Sequence, residues 1–83
     1  MRVLILEKEK EIYVSDNAKY VTLPSVSGEI TVYPEHMSII TLITNGSITV
    51  AFEENSIEKY KTVEIKEGIF SFKNNEAVLL VQM

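Results

Sequence analysis

At 83 residues the chain is shorter than most domains, which predicts one domain over residues 1–83 and a core that hides little more than roughly 60% of the unfolded surface. Apolar residues make up 46% and charged residues 24%, a balance suited to a globular chain, and the absence of cysteine excludes disulfides and thiolate metal sites. The net charge of -4, with eight basic residues scattered among twelve acidic ones, argues against nucleic acid and anionic membrane surfaces as partners.

Period-two alternation bounded by turn residues dominates the chain. Val3–Leu6 is apolar throughout and reads as a buried strand, too short for a signal peptide or a membrane span. The all-charged Glu7–Glu11 reads as a solvated turn, and Ile12–Val14 as a short strand before Ser15-Asp16-Asn17. Tyr20–Leu23 reads as a strand stopped by Pro24, which has no N–H for a ladder. Ser25–Gly28 reads as a loop, and Ile30–Tyr33 as a strand ending at Pro34.

Ser38–Thr44 and Ser47–Glu53 flank Asn45-Gly46, a dipeptide suited to a type I′ turn, so the spacing predicts a hairpin there. Ile48, Val50 and Phe52 share one face of the second strand, and Thr49 and Ala51 the other. Glu53–Glu58 reads as a further turn, Tyr60–Ile65 as a strand with Val63 and Ile65 on one face, and Lys66-Glu67-Gly68 as another turn. Phe70 and Phe72 share a face, Asn74-Asn75 makes a tight turn, and Ala77–Val81 closes the chain. No stretch carries a helical period, so the expectation is all-β: a small antiparallel β-sandwich of two sheets with no substantial helix.

Catalytic chemistry has little to stand on. The single histidine, His36, excludes multi-histidine metal sites. Ser38 beside His36 lacks an orienting acid at a defined spacing and a G-x-S-x-G motif. Gly28, Gly46 and Gly68 lie too far apart to form a phosphate loop. No catalytic, cofactor or metal residues are expected, and the chain reads as a binding or structural module.

One stretch says more. Gly28-Glu29-Ile30-Thr31-Val32-Tyr33-Pro34-Glu35-His36-Met37-Ser38-Ile39-Ile40 resembles the signature loop of the epsilon subunit of F-type ATP synthases (delta in mitochondria), which reads roughly G-E-L-G-I-hydrophobic-P-x-H-x-P-L-L. Gly28, Glu29, Pro34 and His36 match at the same spacing, Ile39 and Ile40 replace the leucines, and Gly46 matches a later glycine. Lys66-Glu67-Gly68-Ile69 and Asn75-Glu76-Ala77-Val78 are similar to later family segments. Thr31 and Glu67 stand where the family usually has glycine, and Ser38 where it often has proline. Family members usually continue into a helical hairpin, whereas this chain stops at Met83.

The resemblance implies a non-catalytic central-stalk subunit, linking gamma to the membrane ring of c subunits and coupling ion-driven rotation to ATP synthesis carried out elsewhere. It implies a peripheral place at the cytoplasmic face of the cell membrane, without direct membrane insertion and without cofactors. By position in the motif, Ser27, Gly28 and Glu29 are expected to face the c ring, and His36, Met37 and Thr41 to face gamma. Gly28 and Pro34 together would hold Glu29 and His36 on one rigid loop at one end of the sandwich. Alternation sets Met37, Ile39 and Thr41 against Ser38, Ile40 and Leu42, and leaves open which set points inward. The competing readings are a free-standing sandwich that binds a small ligand, and a small hydrolase using Ser38 and His36.

Overall fold

Nine strands and no helix make up the protein, as described for residues 1–83 by a computed structural model. In chain order they are β1 (Arg2–Glu7), β2 (Lys10–Ser15), β3 (Tyr20–Ser25), β4 (Gly28–Val32), β5 (Ile39–Ile43), β6 (Gly46–Glu54), β7 (Ile57–Ile65), β8 (Glu67–Lys73) and β9 (Glu76–Gln82). Two layers form. The first is ordered β4-β3-β6-β7 and the second β2-β1-β9-β8-β5, joined where Ser25 of β3 pairs with Ile43 of β5. Alternation builds the core: Val3, Ile5, Val21, Leu23, Ile48, Val50, Phe70, Phe72, Ala77 and Leu79 all point between the layers and are fully buried. The all-β sandwich expectation holds, with the two layers being halves of one continuous nine-stranded sheet. The pairing is antiparallel except for β1 with β9, which runs parallel.

The predicted hairpin at Asn45-Gly46 is not there. β5 and β6 do not pair with each other; both pair with the same edge of β3. From Thr22 facing Thr49 to Ser25 facing Ile43, the chain takes six steps against three on β3. Thr44-Asn45-Gly46 is therefore a corner, in which one long antiparallel pass leaves the second layer and enters the first. Gly46 has φ +153, and a Cβ there would meet Pro24 at 3.0 Å, so glycine serves close packing at the corner. The type I′ signature appears instead at Lys8-Glu9, Asn55-Ser56 and Asn74-Asn75, where both residues have positive φ. Only the last pair was marked as tight by its residues.

Pro24 does not stop β3, which continues to Ser25. The proline sits where β3 exchanges β6 for β5, so its missing N–H falls in the gap between two ladders, and its carbonyl accepts from Thr44 N at 2.8 Å. The charged run Glu7–Glu11 narrows to a two-residue turn, with Glu7 and Lys10 already paired. Likewise the predicted turn Lys66-Glu67-Gly68 shrinks to Lys66, because β8 starts at Glu67.

Candidate functional site

The outer faces of the two layers differ in chemistry. On the first layer, Thr31, Thr22, Thr49 and Thr62 lie in register across all four strands, with Thr22 Oγ1 3.0 Å from Thr31 Oγ1. The next row is Tyr20, Ala51 and Tyr60, and the Tyr20 ring centroid lies 5.5 Å from that of Tyr33. Tyr60 donates its hydroxyl hydrogen to the Glu58 carboxylate, and Lys19 Nζ lies 3.1 Å from the same carboxylate. That bond to Glu58 holds the Tyr60 phenol up at about 12, while the Tyr60 and Lys19 partners hold Glu58 below the usual carboxylate range. This face is polar and internally satisfied.

The second layer turns an apolar face outward. One row runs Leu6, Leu80, Ile69, Leu42 and on to Val26, whose N–H donates to the Leu42 carbonyl at 3.1 Å. A parallel row runs Val14, Leu4, Val78, Ser71 and Ile40. No charged residue interrupts either row. Ile40 is 77% exposed, Val26 58%, Leu42 55% and Leu80 50%, which is more than scattered surface leucines explain. A shallow groove of about 740 Å³ follows the first row, with Lys8, Lys66 and Glu67 at its margin.

The residues singled out by sequence do not gather on this face. Ser27 lies in the two-residue turn between β3 and β4, and Gly28 and Glu29 open β4; all three are exposed. The tip is braced from inside: the buried Ser25 hydroxyl donates to the Gly28 carbonyl at 2.6 Å and accepts from Ser27 N at 3.1 Å. Gly28 has φ +114, a conformation that favours glycine. Thr31, where the family usually has glycine, sits in regular extended backbone opposite Thr22, so nothing there requires a glycine.

His36 and Met37 lie in the loop between β4 and β5, and both are exposed, Met37 by 77%. His36 Nδ1 is 2.8 Å from the Met37 carbonyl, which only accepts, so Nδ1 carries the proton and Nε2 is an acceptor when the ring is neutral. The imidazole meets Phe72 edge-on with centroids 6.2 Å apart, and Asn75 Oδ1 accepts from Glu35 N at 2.9 Å, so the loop is anchored to the β8–β9 turn. Glu29 and His36 do not share one loop. Glu29 is the second residue of β4 and His36 lies in the loop beyond the strand's far end, so β4 sets them toward opposite ends of the sandwich.

Thr41 is half-buried and points with Ile39 and Ile43 toward the core, opposite Phe70 of β8. Ile40 and Leu42 are the outward residues of β5, which answers the question that alternation left open. Sequence reading missed the apolar face itself. Its members lie on five strands and one turn that are dispersed along the chain, and only the pairing lines them up. Ser38 is exposed, and His36 Nδ1 is committed to a backbone carbonyl, so the two do not form a nucleophile–base pair through that nitrogen. No three His, Cys, Asp or Glu side chains are grouped so as to hold a metal ion. No helix is long and apolar enough to cross a membrane.

Comparison with known proteins gives a consistent result. The chain is 34% identical over 82 residues to the ATP synthase epsilon chain of Sulfurimonas denitrificans, covering 99% of this chain and 60% of that one. It is 28% identical over 85 residues to the ATP synthase epsilon chain of Neisseria meningitidis serogroup C, covering 100% and 57%. The chain thus spans a little over half the length of these curated relatives. Its fold matches a chain of the Euglena gracilis mitochondrial ATP synthase OSCP/F1/c-ring structure with TM-score 0.86 at 15% identity, over 98% of this chain and 49% of that one. It also matches a chain of the Tetrahymena thermophila mitochondrial ATP synthase central stalk/c-ring structure with TM-score 0.77 at 14% identity, over 100% and 63%. The family described as ATP synthase, Delta/Epsilon chain, beta-sandwich domain matches residues 1–83, and the chain belongs to that family.

Proposed function

We propose that this chain is a non-catalytic central-stalk subunit that links gamma to the c ring of an F-type ATP synthase at the cytoplasmic face of the cell membrane. Its contribution is mechanical: a packed sandwich passes torque between ring and gamma with little compliance. The observation that carries the reading is the two-sidedness of the sandwich. One outer face is polar and internally satisfied, whereas the other presents two uncharged rows ending in Val26, Leu42 and Ile40. A central face of this kind with a polar rim suits a permanent protein partner better than water.

The separation of the two signature segments supports such a link. Ser27, Gly28 and Glu29 form a braced tip at one end, suited to the polar loops of the c ring. His36 and Met37 lie at the other end, beside the first exposed residue of β5, and are suited to gamma. Thr41 lies on the core-facing side of β5, beneath Ile40 and Leu42, which face the partner.

The test is binding of purified gamma by this chain. Leu42→Lys and His36→Ala are expected to weaken the complex while leaving the melting of the free chain within a few degrees. Phe72→Ala, which empties a buried core position, lowers stability by about 3–5 kcal/mol. Glu29→Ala should weaken c-ring association only mildly, by the ~0.2–1 kcal/mol of an exposed ion pair, and more visibly at low salt. Undiminished gamma binding by Leu42→Lys would refute the placement of gamma on this face.

A further inference from the structure

We infer that, without its stalk partner, the chain pairs with a second copy of itself through the outer face of the second layer, about a two-fold axis that runs along the strands between β8 and β9. Face-to-face packing about this axis lays β8 of one copy over β9 of the other and preserves level along the strands. Ile69 then meets the partner copy's Leu80, and Ser71 its Val78, since these residues are level in the β8–β9 register. β1 lies over the other copy's β5, so Leu6 and Leu4 meet Leu42 and Ile40.

Charge complementarity selects this arrangement. Lys73 and Glu76 are level neighbours on the outward face, just beyond the second apolar row, where Glu76 already holds Arg2 of its own copy at 3.0 Å and offers the partner copy a second, shared contact. The axis sets each copy's Lys73 over the other's Glu76, twice per dimer, and its level pairing sets Glu67 over the uncharged Gln82. The ten positions of the two rows carry no charge that must be desolvated, the charged residues of this face (Arg2, Glu67, Lys73 and Glu76) lying beyond them, whereas on the first layer Glu29, Glu58 and Glu64 share the outer face with the threonine row.

Size fits as well. Five strands at ~4.8 Å and four rows at ~7 Å make a footprint of about 24 by 28 Å, at the small end of specific interfaces, so a reversible dimer is expected rather than an obligate one. The same face cannot hold gamma and a second copy together. Self-pairing would therefore keep an unassembled subunit soluble and be displaced on assembly. This competition rests on the proposed gamma site, but the pairing itself does not.

Sedimentation equilibrium of the chain alone over a wide concentration range tests the pairing. The expected result is a reversible rise from the 9.4 kDa monomer toward twice that mass. Ile69→Lys should abolish the rise while circular dichroism shows an unchanged fold, because Ile69 is 46% exposed. Lys73→Glu alone and Glu76→Lys alone should each weaken pairing about tenfold. Mixing those two variants should restore it, since each mixed pair again has opposite charges at both contacts. A chain that stays monomeric at every concentration overturns the inference, as do a dimer indifferent to Ile69→Lys and a mixture no tighter than its components. Failure of gamma binding with intact self-pairing would count against the proposed function and leave this inference standing.

Discussion

Ser25 and Ile43 form the residue pair through which the two layers of the sandwich are joined. Ser25 is the one buried polar residue, and its hydroxyl serves both sides of the β3–β4 tip. Ser25→Ala removes two hydrogen bonds at once. Each contributes ~1 kcal/mol net, so urea unfolding should show a loss of about 1–2 kcal/mol. The amides of Ser27 and Gly28 should also exchange faster than those of central β8.

Gly68 and Gly28 answer alanine differently. A Cβ at Gly68 would lie 2.4 Å from the Leu80 carbonyl oxygen and 3.1 Å from Val81 Cα, and neither is a flexible side chain. Gly68→Ala must push β8 away from β9, and a loss of about 2–3 kcal/mol is expected by thermal melting. At Gly28 nothing lies within 4 Å, so only the backbone strain at φ +114 counts, and Gly28→Ala should cost ~1 kcal/mol.

The Lys8-Glu9 turn holds two ordinary residues at φ 49 and 66. Asn-Gly adopts this turn with less strain, so the double substitution Lys8→Asn/Glu9→Gly should raise the melting temperature by a few degrees, or about 1 kcal/mol. Both residues are exposed, and no loss of packing offsets the gain. A lower melting temperature would show that the turn is not the limiting element in its hairpin.

Glu58 links stability to pH at both extremes. Its folded pKa is lowered, by the hydrogen bonds from Tyr60 and Lys19, so its contribution is present above the unfolded value of 4.5 and fades as pH falls through the lower folded value. Tyr60 is raised from 10.0 to about 12, chiefly by Glu58, so its contribution is present below pH 10 and fades as pH rises toward 12. Lys19, raised chiefly by the Glu58 hydrogen bond, adds stability below 10.5 that is lost above it. Glu58→Gln should flatten both limbs of a melting-temperature profile. Because all three groups are solvent-exposed, the slopes should be shallow and should shrink with salt.

Much of this protein was legible before any fold was known. Period-two patterning exposed the strands, because each strand lies with one side against the core, and Val63, Ile65, Phe70 and Phe72 are buried as that pattern requires. The spacing of Gly28, Glu29, Pro34 and His36 led to the family, since a motif is local in sequence. Turn chemistry was only half legible. Asn45-Gly46 suits a hairpin, but the corner around β3 overrode that preference, while Lys8-Glu9 turned without a turn residue because β1 and β2 had to meet. What the tertiary structure alone decided is non-local: which strands are neighbours, that β1 and β9 run parallel, that Glu29 and His36 lie at opposite ends of the sandwich, and that Leu6, Leu80, Ile69, Leu42 and Val26 form one row. A strand's own residues specify which of its sides is apolar. They do not specify its neighbours, because that choice is made by the packing of the whole core.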